Sequence, residues 1–381
     1  MGIVVQKFGG SSVADVDKLQ KVATRVVERK AAGDDVVVVV SAMGKTTDQL
    51  LALAREVDSA PPRRELDMLL STGERVSMAL LSMAIQKLGH DAISFTGSQS
   101  GIITNDRHFD ARIIDVRPHR VEDELARGRI VIIAGYQGMS YKREITTLGR
   151  GGSDTTALAM AAALGASHAE IYSDVDGVYS ADPRKVPDAR HLPEIGYDEM
   201  QEMAEAGAKV LHAKAVEFAR SARIAIHARS TFDPSGRETV VHDVPHPGLT
   251  RAVVGQTGLA RVRIAGDAPA SLARLRSLGA RMRDVRADGS GLEALVVVPE
   301  TPSWDACRDQ AESVEEGLAA VSVVGSDPEA ATHLAEVMKL RNVEGSWSAH
   351  ALRVTAIVDE AEADGLVATL HERLVSAIPT P

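Results

Sequence analysis

The sequence predicts an α/β protein, in which a large domain with a mainly parallel sheet and helices on both faces precedes two small α+β domains. Short β-branched runs alternate with segments of helical spacing through roughly the first 240 residues, as they do in repeated βα units. The remaining residues show two weakly similar halves of strands and helices. A chain of 381 residues is long enough for two or three domains with separate cores.

The first domain opens with a βαβ unit. Ile3–Val5 is a short apolar strand, Val13–Arg29 has helical spacing, and Val36–Val40 is a continuous β-branched run. A run that is apolar at every position predicts a parallel strand buried on both faces. The later predicted helices are Asp67–Leu88, Val121–Arg127, Thr155–Leu164 and Met200–Arg220, and the later predicted strands are Ala92–Phe95, Ile130–Ala134 and Glu170–Ser173.

A boundary is predicted within residues 230–250, where three prolines and two glycines exclude a long helix or a central strand. We therefore expect a final hairpin there, a first domain at residues 1–245 and a tail at 246–381. The tail is predicted to contain strands at Arg261–Ile264, Leu292–Val298, Val321–Val324 and Leu352–Val358, and helices at Ser271–Leu278, Glu329–Leu340 and Ala361–Val375.

The composition excludes several classes of protein. The 53 acidic and 43 basic residues give a net charge of −10, which, without a basic stripe, disfavours a nucleic-acid partner. Cys307 is the only cysteine, so an internal disulfide is excluded, and no Cys/His cluster has the spacing of a metal site. The amino terminus lacks a secretory signal, and the longest apolar runs are too short to span a membrane. These features predict a cytoplasmic protein without a membrane partner.

The first candidate site is the turn KFGGSS after the first strand. Gly9, Gly10 and Ser11 let the backbone approach an anion closely, and Lys7 supplies a positive charge beside them. A helix N-terminus is expected to follow directly and to offer unpaired N–H groups. The alternative interpretation is a tight turn in which Ser11 or Ser12 only caps the helix.

A second turn, SAMGKTTDQL, follows the second predicted strand. It places Ser41 and Thr47 at the strand end, although Asp48 could simply cap the next helix. Ligands bind at the carboxyl ends of strands in doubly wound sheets. Two such turns at one sheet edge therefore favour a binding site.

The segment TTLGRGGSDTTA gives the most specific signal. Three glycines surround Arg150, and they leave N–H groups exposed while the guanidinium can bind a carboxylate with two hydrogen bonds. Helix capping would explain Ser153 and Asp154 at the helix start. Capping does not explain an arginine among glycines, so the segment favours a binding function.

Carboxylates are concentrated in IYSDVDGVYSADPR, which follows another predicted strand. The spacing of Asp174, Asp176 and Asp182 is not that of a calcium-binding loop, so nucleotide or magnesium handling is favoured, with a turn at Asp176. Gly207 interrupts a helical pattern just before Lys209, which could reach a phosphate. Walker, GxSxG, HExxH and protein-kinase motifs are absent from the sequence. These features together indicate a phosphate-binding α/β enzyme.

In order and spacing, these segments resemble those of aspartate kinases of the amino-acid kinase superfamily. The matching segments are KFGGSSVAD, SAMGKTTDQL, ELDMLLSTGERVS, TLGRGGSDTTA, IYSDVDGVYSADPR and GAKVLHAKAVE. The resemblance implies an αβα sandwich and the phosphorylation of the side-chain carboxylate of L-aspartate by ATP, with Mg²⁺ carried mainly on the ATP phosphates. This reaction is the first step towards lysine, threonine and methionine, or towards a specialised aspartate-derived product.

The resemblance also implies a role for individual residues. Lys7 would stabilise charge on the transferring phosphoryl group, and Asp154 would hold and orient that lysine. The amino acid would bind to Thr47, Glu74, Arg150 and Ser153, with Glu74 at the α-ammonium and Arg150 at the α-carboxylate. ATP would contact Lys7, Gly9, Gly10, Ser11, Ser41, Ser173, Asp174, Tyr179, Asp182, Arg184 and Lys209. No metal ligand from the protein is implied.

The tail resembles the tandem ACT domains of the same family, in a divergent form, which implies a homo-oligomer formed through this region. Its two loops GDAPAS and GSDPEA have Ala270 and Glu329 where the family has glycine, and the later segment GSWSAHA lacks the family's Glu. A side chain in these loops can keep an effector from the backbone N–H groups. We therefore expect weak or absent feedback inhibition by lysine and threonine. Two alternatives stay open: a kinase for an aspartate analogue, and a non-catalytic ligand-sensing subunit with the same fold.

Overall fold

The computed structural model describes residues 2–244 and 248–375, which form two compact units. The first unit comprises residues 2–178, 191–201 and 209–244, and the second comprises 179–190, 202–208 and 248–375. The predicted boundary between residues 245 and 246 lies outside the described residues. Two segments of the predicted first domain, 179–190 and 202–208, pack within the second unit. The single predicted domain boundary does not account for this arrangement.

The elements up to residue 244 follow the predicted alternation. The strands are β1 Ile3–Phe8, β2 Asp35–Val40, β3 Ala92–Phe95, β4 Ile102–Thr104, β5 Ile113–Val116, β6 Ile130–Ala134, β7 Gln137–Ser140, β8 Ile145–Thr147, β9 His168–Ser173, β10 Val178–Tyr179, β11 His191–Leu192, β12 Glu194–Gly196, β13 Ala225–Ser230 and β14 Glu238–His242. The helices are α1 Val16–Ala31, α2 Thr46–Val57, α3 Arg63–Leu70, α4 Thr72–Lys87, α5 His119–Ala126, α6 Gly152–Ala163, α7 Tyr197–Ala206 and α8 Ala213–Ala222. The predicted helix Met200–Arg220 is thus two helices, separated at Gly207.

The first unit is built on an eight-stranded sheet of order β12-β14-β13-β9-β1-β2-β6-β3. The pairs β1–β2, β1–β9, β2–β6, β3–β6 and β9–β13 are parallel, and β13–β14 form the predicted antiparallel hairpin. Residues Val36–Val40 are fully buried, as their uninterrupted β-branched run predicts. The mainly parallel α/β architecture is therefore confirmed, and the carboxyl ends of β1, β2 and β6 lie at one edge.

Helices pack on this sheet through apolar stripes. On one face, α1 and α4 contribute Leu19, Leu81 and Ile85 to a cluster that includes Phe8 of β1. Lys7 alternates with Phe8 along the strand, so its side chain lies on the other face, on which α6 packs.

The start of α1 differs from the prediction. The helix begins at Val16 and is capped by Asp15, whose carboxylate accepts a hydrogen bond from the Lys18 N–H at 2.8 Å. Ser11 and Ser12 therefore do not cap it, because residues 10–13 form turns before the helix starts. The prediction that a helix begins directly after the GGSS turn is therefore wrong.

The first unit also contains a smaller sheet of order β5-β4-β7-β8, which was not predicted from the sequence. Its strands are three or four residues long, and β5 and β7 include polar residues. Such short strands carry little periodicity, which explains why the pattern missed them.

The helical stretch Arg63–Lys87 is 25 residues long, and its mean hydropathy reaches 1.2 in an 18-residue window, so by length and composition it could cross a membrane. Unbroken apolar runs do not reveal this stretch as a possible span, because charged residues interrupt it. Half of the window is buried within the fold, where α4 packs against α1 and β3. The segment is a core element of the first unit.

The second unit contains a six-stranded sheet of order β16-β17-β15-β18-β20-β19. Its strands are β15 Thr250–Ala265, β16 Met282–Asp288, β17 Gly291–Val297, β18 Ser313–Gly325, β19 Gly345–His350 and β20 Arg353–Asp359. Its helices are α9 Ala268–Ser277, α10 Trp304–Arg308, α11 Ala330–Leu340 and α12 Glu360–Leu374, with a 3₁₀ turn at Val298–Glu300.

The two predicted halves of the tail share this one sheet. Strands β15 and β18 pair along almost their whole length, with register shifts between Thr250 and Ala252, between Gln256 and Leu259, and between Leu259 and Arg261. One end of β15 also pairs with β17, and one end of β18 pairs with β20. Each half thus borrows a strand segment from the other, which the separate predicted strands at 261–264 and 321–324 do not show.

Candidate active site

The turns after β1 and β2 are in direct contact. The Gly44 N–H donates to the Gly10 carbonyl at 3.0 Å, and the Ser41 N–H donates to the Phe8 carbonyl at 3.1 Å. A Cβ atom at Gly10 would lie 2.9 Å from the Ala42 carbonyl oxygen. Only glycine therefore lets the two turns approach this closely.

These turns form one wall of a cavity of about 280 Å³. The cavity lies entirely within the first unit, at the carboxyl edge of the main sheet. Its lining residues are Lys7, Gly10, Ser41, Ala42, Gly44, Thr47, Glu74, Tyr136, Gly149, Arg150, Gly151, Gly152, Ser153 and Asp154. The structure thus brings both predicted catalytic residues and all four predicted amino-acid-binding residues together.

An ion pair crosses the cavity wall. Lys7 Nζ lies 2.7 Å from Asp154 Oδ1, and the two side chains are 12% and 10% exposed. The lysine stands on β1 in the middle of the sheet, and the aspartate lies in the first turn of α6. Because both elements are rigid and packed on each other, the ammonium group is held in position.

The positive end of α6 also faces this cavity, since Gly152, Ser153 and Asp154 line it. Gly149 and Gly151 both have φ of 73°, the left-handed region that favours glycine, and α6 has no side-chain cap. The first turn of a helix carries N–H groups without intrahelical partners and binds anions. The N-terminus of α6, rather than that of α1, is therefore the helix end that lines the cavity and could bind an anion there.

Glu74 of α4 brings a buried carboxylate to the same cavity, with an exposed fraction of 3%. Its Oε1 accepts a hydrogen bond from the Ala42 N–H at 3.2 Å, whereas Oε2 is buried without a hydrogen-bond partner among the described residues. Burial raises the pKa of Glu74 to about 7. A buried carboxylate oxygen without a partner is suited to a cationic ligand.

Arg150 lies between the two left-handed glycines and is exposed at the cavity. Glu74 and Arg150 thus give the cavity one anionic and one cationic group. A small zwitterion with a separate anionic group would find partners for its charges here.

Six lining residues were not assigned a site role. Gly149, Gly151 and Gly152 belong to the segment around Arg150 that favours a binding function, whereas Ala42, Gly44 and Tyr136 were not predicted at all. Tyr136 follows β6 by two residues, at the strand end next to β2 in the sheet. The rule that ligands collect at the carboxyl ends of parallel strands could have identified it.

Other predicted residues of the first unit lie outside the cavity lining. They are Gly9, Ser11, Ser173, Asp174 and Lys209. Gly9 is adjacent, since a Cβ there would lie 3.4 Å from Lys7 Nζ. Ser11, Asp174 and Lys209 are exposed, and Ser173 ends β9. Their contacts with a nucleotide stay a prediction.

The remaining predicted nucleotide residues, Tyr179, Asp182 and Arg184, belong to the second unit. Arg184 binds Asp182 with two hydrogen bonds, Nε to Oδ1 at 2.9 Å and a terminal nitrogen to Oδ2 at 2.8 Å. Among residues 2–244 and 248–375, no group of three or more His, Cys, Asp or Glu side chains could hold a metal ion.

Comparison with known proteins gives consistent matches. The model of the amino acid kinase family matches residues 2–230. An aspartokinase from Bacillus sp. (strain MGA3) is 40% identical over 400 residues, covering 98% of this chain and 97% of that protein. One from Mycolicibacterium smegmatis is 53% identical over 282 residues, covering 72% of this chain and 67% of that protein. Crystalline E. coli aspartokinase III in complex with aspartate and ADP aligns with a TM-score of 0.80 and 26% identity, covering 98% of this chain and 99% of that one.

Proposed function

The chain belongs to the aspartokinases of the amino acid kinase family and is a phosphotransferase, and on that premise we propose that it transfers the terminal phosphoryl group of ATP to the side-chain carboxylate of L-aspartate. The product would be 4-phospho-L-aspartate. The observation that carries this proposal is the Lys7–Asp154 ion pair at 2.7 Å, which lies in the same cavity as the buried Glu74 and the exposed Arg150.

On the amino-acid side, Glu74 receives the α-ammonium and Arg150 the α-carboxylate. Glu74 supports this role because its Oε2 is buried without a partner among the described residues, so a cation there gains a desolvated charge partner. A guanidinium matches a carboxylate with two parallel hydrogen bonds. Thr47 and Ser153 line the same cavity and add hydroxyl groups.

Phosphoryl transfer depends mainly on positioning and on neutralising charge that spreads over the moving group. Lys7 supplies that positive charge, and Asp154 holds its ammonium in place. The N–H groups at the start of α6 add partial positive charge at the same place. The acceptor is already a carboxylate, so no general base is required.

The nucleotide is the second substrate, and it would carry Mg²⁺ on its phosphates. We assign Lys7, Gly9, Gly10, Ser11 and Ser41 to its phosphates. The remaining contacts would come from Ser173, Asp174, Tyr179, Asp182, Arg184 and Lys209.

We further propose that lysine and threonine inhibit this enzyme weakly or not at all. In the second unit Asp267 accepts a hydrogen bond from the Ala270 N–H at 3.1 Å, and Asp327 accepts one from the Glu329 N–H at 2.9 Å. These N–H groups are therefore already satisfied within their loops. The second unit, an ACT-like region, would then serve homo-oligomer formation in the cytoplasm.

A steady-state assay with ATP, Mg²⁺ and aspartate tests both statements. Hydroxylamine traps an acyl phosphate as a hydroxamate, so aspartate should yield a hydroxamate whose rate is unchanged when lysine or threonine is added. If an aspartate analogue gives product while aspartate does not, the substrate is misassigned. Strong inhibition at low lysine or threonine concentration would contradict the regulatory proposal alone.

A further inference from the structure

The loop that carries Arg150 joins the end of β8 to the start of α6. A glycine stands on each side of the arginine, and a glycine backbone has more conformational freedom than that of any other residue. The loop itself therefore does little to hold the guanidinium at one place in the cavity. Contacts between the loop ends and the rest of the first unit have to fix it.

Tyr136 binds to both ends of this loop. Its N–H donates to Thr156 Oγ1 in α6 at 3.2 Å, and its carbonyl accepts from the Leu148 N–H, directly after β8, at 2.9 Å. Tyr136 makes both bonds at a φ of 68°, a left-handed conformation that residues other than glycine rarely adopt. Such conformations concentrate at functional sites.

A buried carboxylate also holds the end of β8. Asp67 of α3 is fully buried, and its Oδ1 accepts a hydrogen bond from the hydroxyl of Thr147, the last residue of β8, at 2.5 Å. The same oxygen accepts from the Phe109 N–H at 3.0 Å, and Oδ2 lies 2.6 Å from His108 Nδ1. An aspartate is almost never fully buried unless partners satisfy it. Here the partners come from two segments, β8 and residues 108–109.

The segment 108–111 packs directly against the Arg150 loop. A Cβ atom at Gly149 would lie 3.3 Å from the Phe109 carbonyl oxygen, so only a small residue fits there. The segment is also joined to β8, because one of its N–H groups donates to the carbonyl of the last residue of that strand at 2.9 Å. Asp67 thus binds the strand from which the loop leaves and the segment against which the loop packs.

We propose that Asp67 is a positioning residue, which holds this loop so that the Arg150 guanidinium meets the α-carboxylate of the amino-acid substrate. Asp67 does not line the cavity, so it acts through the loop and not by contact with the substrate. This inference rests on the proposed function, because it presumes an amino acid whose α-carboxylate binds to Arg150. The competing explanation is that Asp67 only stabilises the fold.

Thr147→Val removes the donor that links β8 to Asp67 and keeps the size of the side chain. We expect KM for aspartate to rise about tenfold, since a small displacement of a binding group costs this much or more, with kcat and KM for ATP nearly unchanged. Thr147→Ser keeps the hydroxyl and should restore KM. A variant that lowers only the unfolding temperature and leaves KM as in wild type would show that the link serves the fold alone.

Thr146→Val is the matched control. Thr146 is on the same strand, is equally buried and pairs with the Thr104 hydroxyl at 2.5 Å, so general damage to β8 would appear in this variant as well. We expect KM for aspartate to stay within about twofold of wild type. An equal rise of KM in the control and in Thr147→Val would refute the role of Asp67.

A double-mutant cycle tests whether the effect passes through Arg150. In an Arg150→Ala background the loop has no guanidinium to position, so Thr147→Val should leave kcat/KM for aspartate unchanged, although it lowers kcat/KM about tenfold in wild type. Rates at low aspartate concentration give kcat/KM even where KM is very high. The same tenfold loss in both backgrounds would overturn the inference.

Succinate provides a comparison that needs no Arg150 variant. It keeps both carboxylates of aspartate and lacks the ammonium group, so as a competitive inhibitor it should lose affinity for Thr147→Val by the same factor as aspartate. In Glu74→Gln, by contrast, KM for aspartate should rise while the Ki of succinate does not. If the Ki of succinate is unchanged in Thr147→Val, the effect does not lie at the carboxylate and the inference is wrong.

The two levels of proposal fail in different ways. If wild-type protein forms no hydroxamate from aspartate, the proposed function fails. If wild-type protein is active but Thr147→Val binds aspartate as wild type does, only the role of Asp67 fails. Asp67→Ala should raise KM for aspartate at least as much as Thr147→Val, and if it does not fold, Thr147→Val provides the test.

Discussion

Replacing Glu74 by glutamine tests the electrostatics of the cavity through stability and activity at once. Burial raises the pKa of Glu74 from 4.5 to about 7, so the folded protein favours the protonated carboxyl. The stability that this group contributes is fully present below the unfolded pKa and is lost as the pH rises through the folded one. The two pKa values, 4.5 and about 7, differ by an amount that corresponds to about 3 kcal/mol of unfolding free energy.

Glutamine has nearly the same shape, stays neutral and can still accept the hydrogen bond from the Ala42 N–H. Urea unfolding at about pH 5 and about pH 8.5 should therefore show the variant gaining stability over wild type, by up to about 3 kcal/mol at the higher pH. The same substitution that raises stability should lower activity with aspartate. In wild type, KM for aspartate should rise up to about tenfold per pH unit below the pKa of Glu74, because the ammonium binds the ionised form. In the variant, KM should be high and independent of pH.

Glu170→Gln is the matched control, since Glu170 is also a buried carboxylate, with 1% exposed. Burial raises the pKa of Glu170, but hydrogen bonds from His168 and Gln6 and the charge of Arg229 together lower it to about 2. This variant should lose stability at neutral pH, the reverse of Glu74→Gln. If the stability of Glu74→Gln relative to wild type does not increase from the lower to the higher pH, then the ionised Glu74 carboxylate does not destabilise the folded protein. A pH-dependent KM that persists in the variant would refute its role at the ammonium.

Two further substitutions test the phosphoryl end of the cavity. Lys7→Ala and Asp154→Ala should each lower kcat about 100-fold or more in protein that is still folded at the assay temperature. Because the two side chains are only 12% and 10% exposed, each substitution leaves a buried charge unpaired and should also lower the unfolding temperature. Lys30→Ala, which removes a more exposed ion pair with Asp35, should change neither kcat nor thermal unfolding. Near-normal turnover in either site variant would contradict the assigned role. Gly151→Ala should abolish activity, because its Cβ would lie 2.2 Å from a ring carbon of His212. Gly165→Ala is the control: Gly165 has a similar φ of 63° and nothing within 4 Å of a Cβ, so this variant should lose only about 1 kcal/mol of stability. Equal effects of the two substitutions in activity and unfolding assays would show that φ alone is responsible.

The strands of the main sheet could be predicted because their signal is local. Ile130–Ala134 and Ala92–Phe95 have the predicted bounds, since each is a short, mainly apolar segment that contains β-branched residues. The strand order, by contrast, depends on pairings between distant residues. Likewise, β15 and β18 are longer than predicted because they cross from one half of the tail to the other. No periodicity within either half carries that information.

The candidate site could be predicted where a motif combines a charge with glycines, as at Lys7 and Arg150. The sequence predicted a helix start directly after KFGGSS, and the structure corrects it, because nothing within this segment shows that turns continue to the cap at Asp15. Tyr136 was not predicted because its distinguishing feature is its backbone conformation, which no sequence motif shows. A left-handed tyrosine is stable only through bonds to Thr156 and Leu148, which are distant in sequence.

Comparison of Glu74 with Glu170 supports the proposal that the cavity at Glu74 is the substrate site. Glu170 accepts hydrogen bonds from Gln6, Tyr172 and Arg229, and its charge is satisfied within the fold. Glu74 has one donor, and its second oxygen has no partner among the described residues. Folding alone would favour a neutral or better-paired side chain there. A ligand that donates hydrogen bonds to Glu74 would supply the partners that the fold lacks. We therefore expect the unpaired oxygen, which destabilises the free enzyme, to favour binding of a cation in this cavity.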